Sequence, residues 1–297
     1  MSLRNRALRG LVALWAVLLL VVPDALAQRF ASRPSRAVAD KSKYFVDVSA
    51  GMGYHSMNLS LRGGGDKNGR VGATAGAYFR YVLRPDVHLF SGLGATLFSA
   101  RSQYDNLETT TTATDPQNGQ QYTFRAQFSN WQEVQREINL EVPAGAFYVH
   151  SFLRTAWVWM LGGGVRLDLP LMKRFRTDNG GSGSMTRTAY FPSTNVDYED
   201  IEDHGLYSSS SFAGKADTRA AGLSLFFDGG FSRPLWGKKS IYLGAYFSHS
   251  LLSLSKGGGA QLYDPASGSY SGVVSSNLVG RAHLMAVGVR AAFSFGF

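Results

Sequence analysis

An all-β fold, a transmembrane antiparallel up-and-down β-barrel of about eight strands, follows from three observations on this sequence. Past residue 27 no apolar stretch is long enough to cross a bilayer as a helix, although 44% of residues are hydrophobic and 13% aromatic. The apolar residues instead alternate with small or polar ones over segments of about ten residues, the period of a strand with one face in lipid. The links between these segments alternate between short and long, as in barrels with short periplasmic turns and long extracellular loops. A mean hydropathy of −0.10 fits, because only every second residue has to be apolar.

The N-terminus reads as an export signal. Arg4, Arg6 and Arg9 precede an apolar run from Leu11 to Val22, then Pro23 and the small-residue exit Ala25-Leu26-Ala27. That run is shorter than the roughly 20 residues of a spanning helix. The expected organisation is therefore a signal peptide at 1–27, a flexible basic periplasmic leader at 28–43, and an outer-membrane barrel at 44–297. No cysteine occurs in the chain, so no disulfide framework closes the exported fold. The net charge of +9 is spread along the chain without a Lys/Arg block, which excludes a nucleic-acid partner.

The strands follow in order. Tyr44, Val46, Val48, Ala50, Met52 and Tyr54 oppose Phe45, Asp47, Ser49, Gly51 and Gly53. Val71, Ala73, Ala75, Ala77, Phe79 and Tyr81 oppose Gly72, Thr74, Gly76, Tyr78 and Arg80. Leu89, Leu93, Ala95 and Leu97 oppose Phe90, Gly92, Gly94 and Thr96. Val134, Ile138, Leu140, Val142, Ala144 and Tyr148 oppose Gln135, Glu137, Asn139 and Glu141. Trp157, Trp159, Leu161, Val165, Leu167 and Leu169 oppose Met160, Gly162, Gly164, Arg166 and Asp168. Leu223, Leu225, Phe227 and Phe231 oppose Ser224, Phe226, Asp228 and Gly230. Ile241, Leu243, Ala245, Phe247 and Leu251 oppose Tyr242, Gly244, Tyr246, Ser248 and Ser250. Met285, Val287, Val289, Ala291, Phe293, Phe295 and Phe297 oppose Ala286, Gly288, Arg290, Ala292, Ser294 and Gly296.

Short links fall at Arg84-Pro85-Asp86, Phe152-Leu153-Arg154 and Pro234 to Gly237. Long polar links are expected at Arg62 to Arg70, Tyr104 to Asn130, Lys173 to Asp217 and Lys256 to Asn277. An even number of strands places both termini in the periplasm. Phe79, Tyr81, Tyr148, Trp157 and Trp159 gather near the short turns, as an interfacial aromatic girdle does. Phe293, Phe295 and Phe297 form a terminal aromatic set on the lipid face, similar to the signal read by the barrel-assembly machinery.

Parity sends eight charges inward: Asp47, Arg80, Glu137, Glu141, Arg166, Asp168, Asp228 and Arg290. An eight-stranded lumen is just wide enough to be filled by side chains, so these charges are expected to pair as a plug. A second reading is a narrow porin-like channel for ions or small solutes.

A third reading, a lipid A-modifying enzyme, would need a histidine and a serine together on one face. His249-Ser250, His150-Ser151 and His55-Ser56 are adjacent pairs that alternate across the sheet, and each histidine reads as an interfacial or loop residue. The expectation is no catalytic residue, no cofactor and no metal. In the longest link, Asp197, Tyr198, Glu199, Asp200, Glu202 and Asp203 mix acids with aromatics and form a candidate surface for a protein partner. Membrane lipid and lipopolysaccharide are the other expected partners.

Leu140-Glu141-Val142-Pro143, followed by Ala144 to Tyr148, resembles the glutamate–aliphatic–proline motif of a middle strand in the outer-membrane β-barrel family common in Bacteroidota, the PorT-like barrels. Proline is unusual inside a strand because it removes a ladder donor. With the architecture, which resembles that family over nearly the whole mature chain, the resemblance implies a barrel resident in the outer membrane and leaves a secretion-associated role open. The resulting expectation is a non-enzymatic envelope protein with a structural or partner-binding role.

Overall fold

A computed structural model describes residues 42–115, 117–152, 156–177, 183–199, 211–256 and 259–297. The expected signal peptide, nearly all of the expected basic leader, and Leu153-Arg154 of the second short turn lie outside the described residues. The long strands are β1 (Tyr44–Leu61), β2 (Asp66–Arg84), β3 (Val87–Thr114), β4 (Gln121–Ser151) and β5 (Val158–Thr177). Outside the barrel wall come β6 (Ser184–Phe191), β7 (Val196–Glu199) and β8 (Ala213–Lys215). The wall resumes with β9 (Gly222–Pro234) and β10 (Lys239–Ser250). A small hairpin, β11 (Tyr263–Asp264) and β12 (Ser269–Tyr270), precedes a 3-10 turn at Val273–Ser275 and the last strand, β13 (Val279–Gly296).

Eight of these close a ring. Each wall strand pairs antiparallel with its chain neighbour in the wall, β4 bonds β5, and β1 pairs with β13 from Phe45–Gly296 to Leu61–Val279. Closure leaves no unpaired edge at membrane depth, where an unsatisfied backbone group would cost several kcal/mol. The outward parity is apolar and exposed: Val48, Met52, Leu93, Leu161, Phe227, Leu243 and Val289 all face away from the barrel. An apolar face presented outward is stable only against lipid, so the fold is a membrane-spanning barrel of the outer-membrane type.

Both described termini lie at the short-turn end, where Phe297 N–H donates to Tyr44 O at 2.9 Å. Tyr44 stacks on Phe79 at 5.7 Å and contacts Tyr81 at 5.5 Å, and Tyr148, Trp157 and Trp236 are exposed at the same end.

The link expected at Tyr104 to Asn130 is a correction. It is not a loop: β3 and β4 continue beyond the wall as one hairpin, paired from Tyr104–Trp131 to Thr114–Gln121. Its run of threonines is polar but β-branched, and such residues favour strands. β6 and β7 add to the β4 side of this extension, and β8 pairs with the end of β5. The first long link is likewise shorter than expected, since β2 begins at Asp66, and β5 runs on to Thr177, whereas the link before β13 is longer than expected, from the end of β10 at Ser250 to Val279.

The hairpin bends where it leaves the wall. Asn130 adopts a left-handed φ of 47°, tolerable for asparagine, and the buried parity of β4 switches there from odd to even residues. Below it Trp131, Glu133 and Gln135 face inward; above it Phe128, Ala126, Phe124 and Tyr122 do.

Candidate functional site: a charged lumen under an aromatic cap

All eight charges assigned inward by parity lie on the lumen side of the wall. Seven of them form ion pairs. At the short-turn end Arg80 grips Asp47 through two bonds of 2.8 and 3.1 Å. Its guanidinium also lies 4.4 Å from the centre of the Phe45 ring and 3.0 Å from His88 Nδ1. Halfway up, Arg290 pairs with Asp228, which also accepts a hydrogen bond from the Tyr242 hydroxyl. Higher still, Arg166 bridges Glu141 at 2.8 Å and Asp168 at 2.7 Å, while Ser224 donates to Asp168. Glu137 departs from the expectation of pairing: it faces Lys173 in register across β4 and β5 without an ion pair within 4 Å. Lys173 instead donates to the Thr218 and Arg219 carbonyls at 2.9 and 2.7 Å.

Aromatic side chains occupy the space between these pairs. Phe90 stacks on Phe147 at 4.6 Å and meets Phe226 edge-on at 5.7 Å. Two cavities of about 40 and 30 Å³ lie on either side of Tyr78, Phe90 and Arg290. Each has room for no more than a few waters.

The family-like motif sits in this wall. Glu141 is the partner of Arg166, Val142 points to the outside, and Pro143 is buried on the lumen side. The β3–β4 pairing skips Val142 and Pro143, resuming at Ser91–Ala144, as a residue without an N–H requires. The Ser91 hydroxyl donates to the Pro143 carbonyl at 2.8 Å and binds the strands across that gap.

His55 is a second correction. Read from the sequence as an interfacial or loop residue, it is fully buried at the top of the lumen. Its ring contacts Tyr246 OH and Leu97 O, each at 2.7 Å, and a β-carbon at Gly72 would collide with it. The signal was present, since His55 shares the parity of Asp47 and Gly51. His249 stands outside, stacked on His283 at 5.5 Å.

Above His55, at the mouth of the barrel, lies a packed aromatic layer that sequence reasoning missed. Phe98, Tyr104, Trp131 and Phe175 from the wall pack with Leu262, Tyr263, Tyr270 and Val273 from the link between β10 and β13. The Trp131 indole N–H donates to the Tyr270 hydroxyl at 2.9 Å. Glu133, completely buried beneath this layer, accepts the Val273 N–H at 2.9 and 3.0 Å and the Gln135 amide at 2.8 Å. Burial without a cationic partner pushes its carboxyl up to about 7. The cap is continuous with the core of the protruding sheet, where Phe124 stacks on Tyr263 and Tyr122 on Phe191.

Of the acidic partner segment, Asp197, Tyr198 and Glu199 form β7, exposed at the edge of that sheet. Asp200, Glu202 and Asp203 lie outside the described residues. Phe293, Phe295 and Phe297 face outward, with the first two rings 4.9 Å apart. Among the described residues no three His, Asp or Glu side chains are placed to hold a metal ion.

The closed wall, apolar outside and charged inside, defines the class: an integral outer-membrane-type β-barrel carrying a β-headpiece that protrudes beyond the wall. No family model and no curated protein matches the chain. Among solved structures it is similar to Neisserial surface protein A, at 11% identity over 86% of this chain and 98% of that one, with a TM-score of 0.37. It is similar also to Ail, the attachment invasion locus protein of Yersinia pestis, at 9% identity over 85% and 99%, TM-score 0.30. OprG of Pseudomonas aeruginosa matches at 11% identity over 86% and 97%, TM-score 0.35.

Proposed function

We propose that this chain is a non-enzymatic outer-membrane protein with a sealed lumen, which presents its headpiece to a protein or envelope partner. What supports this reading is the packing inside the wall: ion pairs and stacked aromatics at membrane depth, then an aromatic layer at the mouth. A solute path would have to break the buried pairs of Arg166 or Arg290, each costly to leave half-paired. The wall spends its polar residues on itself, whereas the headpiece offers exposed ones, β7 with Asp197 and Glu199 among them. An association with secretion rests on the resemblance of Leu140 to Pro143 and on the size of the headpiece.

The test is single-channel recording of the refolded full chain in planar bilayers, beside an Arg166→Ala/Asp168→Ala double variant. A silent parent, folded by heat-modifiable gel mobility, supports the sealed barrel. Steady steps that change in the double variant would replace it with a narrow channel.

A further inference from the structure

On the outer surface of the wall, register places three cations side by side immediately beyond the lipid-facing band. Ile138 and Met172 face each other in the last apolar row between β4 and β5. Two residues further out Arg136 faces Arg174, and Arg174 faces Lys215 of β8. Arg176 lies in the next outward row, opposite Val134. All four cations are exposed. Among the described residues none of them has a carboxylate partner within 4 Å, whereas Lys256 nearby pairs with Asp217.

Like charges directly opposite each other in an antiparallel pair destabilise it. Three in one row repel one another, and an anion lying over them would relieve that cost. The same place holds a groove of about 450 Å³ between β5 and β8. Its walls are amphipathic in the direction of the membrane normal, with Leu171 and Met172 toward the lipid and Arg174 and Lys215 away from it. Arginine is suited to bidentate phosphate contacts, and lysine supplies a point charge.

We infer that Arg136, Arg174 and Lys215 form a binding site for the phosphorylated headgroup of an outer-leaflet glycolipid, with an acyl chain lying along Leu171 and Met172. The height of the row argues for a lipid: its phosphate sits where apolar wall gives way to water, and the groove continues downward onto apolar side chains. The inference rests on the outer-membrane reading of the barrel and not on the sealed lumen.

Native mass spectrometry of the full chain in a neutral detergent tests it, with diphosphorylated lipid A as the probe and its dephosphorylated form as comparison. The expected result is one retained diphosphorylated lipid and at least a tenfold loss of affinity in Arg136→Gln/Arg174→Gln. Lys239→Gln, at the opposite rim, should bind as the parent does. Equal binding of the dephosphorylated lipid, parent-like binding by the double variant, or displacement by an equal concentration of inorganic phosphate would overturn the inference. Labelling of Gln117→Cys on intact cells by an impermeant maleimide tests the orientation separately. A protected cysteine there would sink the outer-membrane reading while leaving the micelle binding result intact.

Discussion

The lower and upper halves of β3 and β4 are the same two strands with opposite polarity. Within the wall, Leu89 and Leu93 look outward into lipid while Thr96, Glu137 and Glu141 look inward. Beyond Asn130 the apolar side chains Leu107, Tyr122, Phe124 and Phe128 look inward, and Glu108, Thr110, Arg125 and Gln127 look outward. The backbone pairing barely changes between the halves, so secondary structure does not set the difference. The solvent does: lipid rewards an apolar exterior, and water rewards an apolar interior. The left-handed turn of Asn130 and the cation row at Arg136 and Arg174 both fall near the boundary between the two regimes.

The contrast can be broken hardest from the headpiece side. Trp131 is fully buried and bonded to Tyr270, so Trp131→Ala should cost about 3–5 kcal/mol of headpiece stability. Limited proteolysis should then cut the region above Asn130 while the barrel keeps its heat-modifiable mobility; simultaneous loss of both would show one cooperative unit. A comparable loss is expected in the wall. Arg166→Ala strands two buried carboxylates and should cost about 3–5 kcal/mol, read in urea titrations of the lipid-embedded protein. Adding Glu141→Gln and Asp168→Asn should restore most of it.

The cap should also respond to pH. Glu133 has its carboxyl raised to about 7 from an ordinary 4.5, so the closed cap holds a proton that the open one releases. The sign is therefore a cap most stable below about pH 4.5, losing stability as pH rises toward 7 and level above that. The span amounts to an order of 3 kcal/mol. Protection of the Val273 amide against hydrogen exchange, corrected for the intrinsic rate, should fall across that range, and Glu133→Gln should flatten the profile. The smallest effect belongs to the bend. Asn130→Gly should be nearly neutral, whereas Asn130→Val should cost about 1–2 kcal/mol because a β-branched residue resists positive φ.

Much of the wall was legible from the sequence, because one physical rule, lipid outside and polar groups inside, acts on every strand at period two. The same parity placed Asp47, Arg80, Glu141, Arg166, Asp168, Asp228 and Arg290 where they pair. It failed at Tyr104 to Asn130 because the parity reverses at the bend and the run Thr109 to Thr112 carries no apolar face, although the alternation of Tyr122, Phe124, Ala126 and Phe128 was there to be read. His55 could have been read from its parity with Asp47; its neighbour Ser56 drew attention to a catalytic pair instead. The cap was out of reach, since Trp131 and Tyr270 are 139 residues apart and meet only through the folding of the last long link.

The absence of native cysteine makes a direct test of the polarity reversal available. Single cysteines placed along β3 at Leu93, Ala95 and Leu97, then at Thr110 and Thr112, can be reacted with a water-soluble maleimide in lipid vesicles. The account predicts that the three lower positions, outward but in lipid, are protected, and that the two upper ones, outward in water, label quickly. Equal labelling of Leu93→Cys and Thr112→Cys would contradict it, because the lower wall would then face water and the two regimes would be one.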